Sequence, residues 1–328
     1  MSSTKPIRWG ILGCARITRR GLIPGIRESH SSTLLALASR QQTSSDEWAK
    51  EFNIPRAYGS YEALLADPDI DAVYIPLPNE LHLDWTKAAA DAGKHVLCEK
   101  PVARDAAEAL AMADHCKQRG VILMEAFMWR YAPRIVEIRR RIEAGEIGTL
   151  RVINVSFSFS IDPTDWRLDP TRGGGALFDV GCYGVNAARL FTQSEPESIQ
   201  TLVKRGPTGV DMTLATHLGF ANGVIGNIDC SFELPYRNRL ELVGTGGSIT
   251  VLDAFLPGPN PTATLLRLGS DSGAAEPETL HFDGRNQYAA MVDHFAASIH
   301  AGHLLAPAED GVAQMKVIDA VLRGAVNI

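Results

Sequence analysis

Apolar residues follow two different rhythms along this chain, and the change of rhythm near residue 134 divides it. In the first part, short apolar runs alternate with helical patterns. Residues 7–12, 33–38, 71–76, 95–98 and 121–126 read as strands. Between them, residues 18–29, 61–66, 80–92 and 105–119 carry helical patterns, the last two stopped by Gly93 and Gly120 as C-terminal glycines do. Strands and helices alternating at these lengths predict an α/β domain, a Rossmann-type doubly wound parallel sheet over residues 1–125.

Beyond it the pattern is that of an α+β domain. Residues 135–144 are helical, with apolar positions at 135, 136, 138 and 142 and an Arg139-Arg140-Arg141 run on the wet side. Residues 149–160 alternate like a strand, with Asn154 as an imperfect step. Segments at about 198–205, 212–220, 223–233, 238–244, 248–255, 262–268 and 278–283 read the same way, and a helix over 175–191 follows the first strand. Such a run of strands predicts a largely antiparallel open sheet with helices on one face and the other face available. Residues 270–275 read as a mobile loop, and helices over 287–301 and 308–326 close the chain. The expected domains are thus 1–125 and 126–328, with the C-terminal helix a candidate to pack back on the first.

Composition narrows the class. At 328 residues, two domains are the default expectation, and 45% hydrophobic with 21% charged content is that of a globular enzyme. A net charge of −6 offers no basic excess for nucleic acid. The five cysteines, at 14, 98, 116, 182 and 230, form no C-x-x-C pair, as expected of thiols in a reducing cytosol. No apolar leader is visible and no stretch approaches the ~20 apolar residues of a membrane span, so the expectation is a soluble cytoplasmic protein with no membrane partner. The histidines at 82, 95 and 217 lack metal-ligand spacing, so no metal is expected.

The candidate chemistry gathers at strand ends. The run Lys94-His95-Val96-Leu97-Cys98-Glu99-Lys100-Pro101 reads as a buried strand that delivers a charged pair into a proline. Pro101 has no N–H and keeps Lys100 out of helical geometry. The chain therefore turns, presenting Lys100 at the carboxyl end of a strand, where open α/β sheets hold ligands. A lysine there can donate to a substrate hydroxyl and help a neighbour lose its proton; a solvated Glu99–Lys100 pair would look the same in isolation.

The first strand ends in Gly13-Cys14-Ala15-Arg16-Ile17-Thr18 before a helical pattern, which is the context of a dinucleotide fingerprint. The three glycines of that fingerprint appear as Gly13, Ala15 and Thr18. Gly13 can make the turn, and Ala15 is small enough for a phosphate to approach the helix N-terminus. The next strand ends in Ser39-Arg40. An acidic residue there would bond the ribose 2′-OH of NAD, whereas Ser39 with Arg40 suits a 2′-phosphate. NADP is the expected cofactor and NAD the weaker alternative; a surface arginine with no ligand is the plain reading. Prolines at 76 and 78 force an extended loop at the next strand end. Pro76, Leu77, Asn79 and His82 on or after it, with Glu99, complete the cofactor candidates.

A second informative stretch is Arg172-Gly173-Gly174-Gly175-Ala176-Leu177-Phe178-Asp179-Val180-Gly181-Cys182-Tyr183. Its three glycines let the backbone approach something closely. Asp179 and Tyr183, four apart, share one face of a helix. They can anchor a polyhydroxylated ligand and relay its proton, or form a bonded pair on a core helix.

Together these pieces resemble the glucose–fructose oxidoreductase / inositol dehydrogenase family (Gfo/Idh/MocA) along the whole chain. The matching residues are Gly10-Ile11-Leu12-Gly13-Cys14-Ala15-Arg16-Ile17, Asn79-Glu80-Leu81-His82 and Glu99-Lys100-Pro101. Glu125-Ala126-Phe127-Met128-Trp129-Arg130-Tyr131 and Gly173 to Tyr183 complete the set. The resemblance implies a Rossmann domain followed by an open sheet that carries the substrate site and often the oligomer interface, here a homodimer or homotetramer. The family lysine maps onto Lys100. Where the inositol dehydrogenase branch has a histidine, this chain has Tyr183, as in the aldose dehydrogenase and dihydrodiol dehydrogenase branch, whose tyrosine is the proposed acid/base. The implied reaction is oxidation of a cyclic sugar by NADP⁺, with a trans-dihydrodiol dehydrogenase, a keto-sugar reductase or an NADP-sensing regulator as rivals. Tyr183 would take the hydroxyl proton, its phenol lowered from ~10 by the charge of Lys100. Asp179 would hold a neighbouring hydroxyl, and Arg130, Trp166 and Arg167 would line the mouth.

Overall fold

Short apolar runs with no polar side build the first sheet. In the computed structural model, which describes residues 5–269, 276–305 and 308–328, they form β1 (Ile7–Leu12), β2 (Ser32–Ala38), β3 (Arg56–Tyr58), β4 (Ala72–Ile75), β5 (His95–Cys98) and β6 (Leu123–Glu125). All pair in parallel, in the order β3-β2-β1-β4-β5-β6. Every residue of β4 is buried, which is why its sequence shows a continuous apolar run rather than alternation. The helices between are α1 (Ile23–Glu28), α2 (Gln42–Glu51), α3 (Tyr61–Leu65), α4 (His82–Asp91) and α5 (Ala106–Arg119). Asp105 caps α5 by accepting from the Glu108 amide, and Gly120 ends it in the left-handed region. The alternation predicts this sheet and its strand type. It does not contain α2 or β3: α2 buries only Ser45, so no apolar stripe marks it, and β3 is three half-buried residues.

The second sheet comprises β7 (Leu150–Ser158), β8 (Pro196–Arg205), β9 (Asp211–Phe220), β10 (Ile225–Ser231), β11 (Arg237–Gly244), β12 (Gly247–Leu252), β13 (Thr262–Arg267), β14 (Glu278–His281) and β15 (Ala325–Asn327). Their order is β14-β13-β12-β11-β7-β10-β9-β8-β15. The sheet is mixed: β10 runs parallel to β7 and β15 parallel to β8, while the other pairs are antiparallel. The imperfect step at Asn154 has a physical cause. The register shifts where Gly244 meets Leu150, so Leu150, Ile153, Val155 and Phe157 face the core while Asn154 and Ser156 turn to the open face. The helices of this part are α6 (Pro133–Glu143) and α7 (Cys182–Thr192), the latter entered through a π turn, Leu177–Gly181. The Arg139–Arg141 run pairs with Glu137, Glu143 and Glu146, as a wet side should, and Val136, expected apolar and inward, is exposed.

Two helices follow, α8 (Gln287–Ala301) and α9 (Ala308–Arg323). The sequence pattern carries the last helix to residue 326. It ends instead at Arg323, and residues 325–327 form the edge strand β15, held by backbone pairing with Thr201, Leu202 and Val203. The chain divides into two compact units, Met1–Tyr131 with Asn286–Met315, and Ala132–Arg285 with Lys316–Ile328. Within the first, α8 lies on α1 because Gly21 and Gly25 leave room for Tyr288. The 270–275 loop expectation falls outside the described residues. Among the described residues no helix is long and apolar enough to cross a membrane.

Candidate active site

In the first unit the order β3-β2-β1-β4-β5-β6 reverses direction between β1 and β4, and ligands of open α/β sheets bind outside the carboxyl ends of strands at such a point. The structure brings the expected cofactor residues to these ends: Gly13–Ile17 after β1, Ser39 and Arg40 after β2, Pro76–Asn79 after β4, and Glu99 and Lys100 after β5. Gly13 sits at φ +111, a backbone conformation that side chains rarely adopt, and packs closely against Leu77 Cδ2 of the loop after β4. After the turn the helix begins as a π turn, Thr18–Leu22. A dinucleotide fits this cradle, since a glycine turn at a strand's carboxyl end is followed directly by a helix N-terminus. Arg16 and Arg40 are exposed, while Cys14 is half-buried with its thiol pushed up to about 11 by burial, which keeps it a neutral thiol.

Glu99 and Lys100 are fixed from below. Glu99 accepts from the Tyr74 hydroxyl and, at 3.1 Å, from the Lys100 amide, and the Lys100–Pro101 peptide is cis. Val102 N–H donates to Glu125 at 2.9 Å, tying the same turn to β6. His82, expected as a cofactor contact, has its ring wholly buried. Its Nε2 lies 2.8 Å from the Leu77 carbonyl and its Nδ1 3.0 and 3.2 Å from those of Pro101 and Val102. Burial pushes its pKa down, against the three carbonyls, which favour the charged ring. It joins the loop after β4 to the turn after β5. Arg130, expected at the substrate mouth, pairs with Asp310 of α9.

In the second unit Tyr183 stands in the first turn of α7, buried, its ring centroid 5.0 Å from that of Phe255 and 5.6 Å from that of Phe157. Asp179 lies in the π turn before it, so the regular i,i+4 spacing expected of the pair is replaced by a wider bulge, a feature frequent at functional sites. Arg167 donates to Asp179 at 2.6 Å and holds Asp165 through Nε and Nη2 at 3.0 and 2.9 Å. Its guanidinium also lies 5.5 Å from the Phe159 ring centroid. Trp166, half-buried, carries Arg172 over its ring at 5.1 Å. The glycine run does let the backbone approach something closely, and that something is protein. A Cβ on Gly174 would lie 2.3 Å from the Arg167 carbonyl, and one on Gly175 would lie 2.1 Å from Asp211 Oδ1.

Three contacts escape reasoning from sequence: Tyr74 with Glu99 in the first unit, and Phe255 with Tyr183 and Asp211 with the Leu177 amide in the second. A buried phenol needs a hydrogen-bond partner, and this is the one signal that points from Tyr74 toward Glu99. Nothing local marks Phe255 or Asp211, whose partners are distant in sequence. Among the described residues no three His, Cys, Asp or Glu side chains gather as metal ligands.

Comparison with known proteins agrees with this architecture. Residues 7–127 match the model of an oxidoreductase family with an NAD-binding Rossmann fold, and residues 135–250 that of the GFO/IDH/MocA C-terminal domain. The chain is 39% identical over 320 residues to D-xylose 1-dehydrogenase (NADP(+)) 2 of Haloferax volcanii, covering 97% of each. It is 34% identical to the trans-1,2-dihydrobenzene-1,2-diol dehydrogenase of Bos taurus, over 75% of this chain and 74% of that one. A solved 3-ketoreductase from Actinomadura kijaniata, in complex with NADP and TDP-benzene, superposes with a TM-score of 0.90 at 32% identity, covering 99% of each chain.

Proposed function

This chain belongs to the GFO/IDH/MocA oxidoreductases, and on that premise we propose that it oxidises an aldopyranose of the D-xylose or D-glucose type at C1 to the lactone, using NADP⁺. The observation that carries the reading is the kinship with a xylose dehydrogenase along nearly the whole of both chains. The geometry of each unit supports it. Gly13–Ile17 offers a turn and helix N-terminus for a diphosphate, and Ser39 with the exposed Arg40 suits a 2′-phosphate. NADP⁺, when bound, supplies the hydride acceptor. The protein's part is the proton: Tyr183 Oη takes it from the C1 hydroxyl as the C1 hydride leaves, and the Lys100 ammonium stabilises the phenolate form. Asp179, held by Arg167, accepts from a neighbouring sugar hydroxyl, and Trp166 and Arg130 are the remaining sugar contacts.

The likeness to the 3-ketoreductase favours a second reading, in which Tyr183 gives its proton to a keto-sugar carbonyl and the cofactor is consumed reduced. Following NADPH absorbance with a panel of aldoses and trans-diols in one direction, and keto-sugars in the other, separates these readings. No turnover on any of them, with NADP⁺ binding retained, would leave a cofactor-sensing regulator.

Arg40→Ala is expected to raise KM for NADP⁺ about tenfold, the size of one charge-assisted hydrogen bond, with little change for NAD⁺. Equal losses for both cofactors would show that Arg40 does not read the 2′-phosphate. We also propose a homodimer or homotetramer through the open face of the second sheet. There His217, Asn227, Asn154 and Glu241 form a hydrogen-bonded row across the strands, with Leu202, Ile225 and Val326 exposed beside it. A monomer in sedimentation at enzyme working concentration goes against that assignment.

A further inference from the structure

A buried carboxylate stands beneath the helix that carries Tyr183, and the proton-transfer chemistry above does not use it. Asp211 opens β9 and is 2% exposed, yet its Oδ2 accepts from the Leu177 amide at 2.6 Å. The amides of Ala176 and of Asp211 itself also point at the carboxylate and favour its charge. Those of Ala176 and Leu177 are the first N–H groups of the π turn that leads into α7, donors that a helix leaves without intrahelical partners. A carboxylate at that end is also the charge that the helix dipole favours. The approach depends on Gly175, at φ +127: a Cβ there would lie 2.1 Å from Asp211 Oδ1. The last of the three glycines is therefore tied to this contact as much as to any ligand.

Farther along the same segment, Gly181 closes on Cys230 of β10 and Gly184 on Ile228, each at a distance that a Cβ would violate. These contacts fix how close the helix lies to the sheet, while the Asp211 cap fixes where its first turn begins. Asp179 is in that turn and Tyr183 is two residues beyond it.

We infer that Asp211 is a positioning residue for the proton-transfer helix, holding the π turn so that Asp179 and Tyr183 are set for the sugar. The inference rests on the reading of Tyr183 as proton acceptor. The cap is complete only when both Asp211 oxygens accept, because a protonated carboxyl presents a donor where an amide already donates. Burial pushes the Asp211 pKa up to about 6, against the three amides and the charge of Arg205 at the end of β8. The other ionisable group facing it, the Cys230 thiol on β10, is pushed well up by burial and stays neutral. The folded state thus holds this proton more tightly than the unfolded chain. Stability falls as pH rises from the ordinary carboxylate range of ~3.9 toward about 6, over the same interval in which the cap forms.

The test has two arms on the full-length protein. Hydrogen exchange of amides 176–181, corrected for intrinsic rates and referenced to α5, reads the cap without any substrate. Protection is expected to drop as pH falls through about 6 in the wild type, and to be low at every pH in Asp211→Asn. Turnover on the best sugar reads the consequence. Asp211→Asn should lose about 10- to 10²-fold in kcat, the scale of a displacement near 1 Å, and should lose the inflection near pH 6. Because Asp211 acts through Tyr183 and Asp179, adding Asp211→Asn to Tyr183→Phe should cost clearly less than Asp211→Asn costs alone. An Asp211→Asn enzyme with wild-type kcat and pH profile, or a loss that adds in full to that of Tyr183→Phe, overturns the inference. Should the variant not fold, wild-type exchange showing no change through pH 6 overturns it alone. Failure of the Tyr183 reading is visible separately, as turnover retained by Tyr183→Phe while the exchange arm still reports the cap.

Discussion

Tyr183→Phe is expected to lower kcat by on the order of 10²-fold or more, the contribution of a positioned general base, while NADP⁺ affinity stays unchanged. The substitution is well suited to the question. The Tyr183 ring is buried against the stacked pair Phe157 and Phe255, and phenylalanine keeps those contacts while removing only the hydroxyl. A fall in turnover with an unchanged melting temperature therefore reports the lost proton acceptor rather than lost packing. Lys100→Met keeps the stem and removes the charge. On the proposed mechanism it should lower kcat to a similar degree and move the basic-side dependence of the pH profile upward, since removing the ammonium removes the proposed stabilisation of the phenolate. If the two residues serve one proton transfer, the double variant should be little worse than either single. Additive losses would mean that they act in separate steps. Retention of most turnover by Tyr183→Phe, with the chemical step rate-limiting, would leave Tyr183 a packing residue.

What the sequence reveals of this site follows a physical line. Gly13, Pro76, Pro78 and Pro101 punctuate strand ends by constraining the backbone locally. Local pattern alone therefore puts the loops that carry Cys14, Leu77 and Lys100 at the carboxyl ends of strands. Continuous apolar runs such as β4 and β5 identify buried parallel strands in the same way. Contacts that depend on long sequence separation are not legible. Arg167 is expected at a substrate mouth, and the structure shows what local pattern cannot, that it clamps Asp165 and Asp179 together. Arg130 meets Asp310 from far along the chain, and His82 spends both ring nitrogens on backbone carbonyls. The missed elements share a cause as well. Neither α2 nor the three-residue strands β3 and β15 bury enough apolar surface to leave a periodicity.

Arg134 shows the same limit most sharply, and the largest stability effect is expected there. It sits in the first turn of α6, next to Ile135, in a stretch whose other arginines are exposed or half-buried, and no local pattern marks it as buried. Instead it is 2% exposed, and its guanidinium donates to four carbonyls: Leu252 at 3.1 Å, Thr262 at 3.2 Å, Asp253 at 2.7 Å and Ala254 at 3.0 Å. Burial pushes its pKa down to about 10, so it stays charged at neutral pH and the four bonds are charge-assisted. They gather the connection between β12 and β13 around one cation, including Asp253 in the left-handed region at φ +47, a conformation that costs a non-glycine residue roughly 1–2 kcal/mol. The next residue but one is Phe255, whose amide donates to Asn238 at 3.1 Å and whose ring stacks on Phe157 and meets Tyr183. Hydrogen bonds to a charged group are worth about 1.5–3 kcal/mol each and do not add in full, so Arg134→Met should cost about 3–5 kcal/mol of folding stability. Arg134→Lys should recover only part of this, because an ammonium has three donors and no planar fork to span four carbonyls. Urea unfolding gives the loss directly. At low temperature, where the variant remains folded, kcat should also fall while NADP⁺ affinity holds, since the Phe255 ring packs on that of Tyr183 and the cofactor candidates lie in the other unit. A cost below about 1 kcal/mol, the scale of an ordinary surface change, would mean that water replaces the guanidinium at those carbonyls and that the connection holds Phe255 without it.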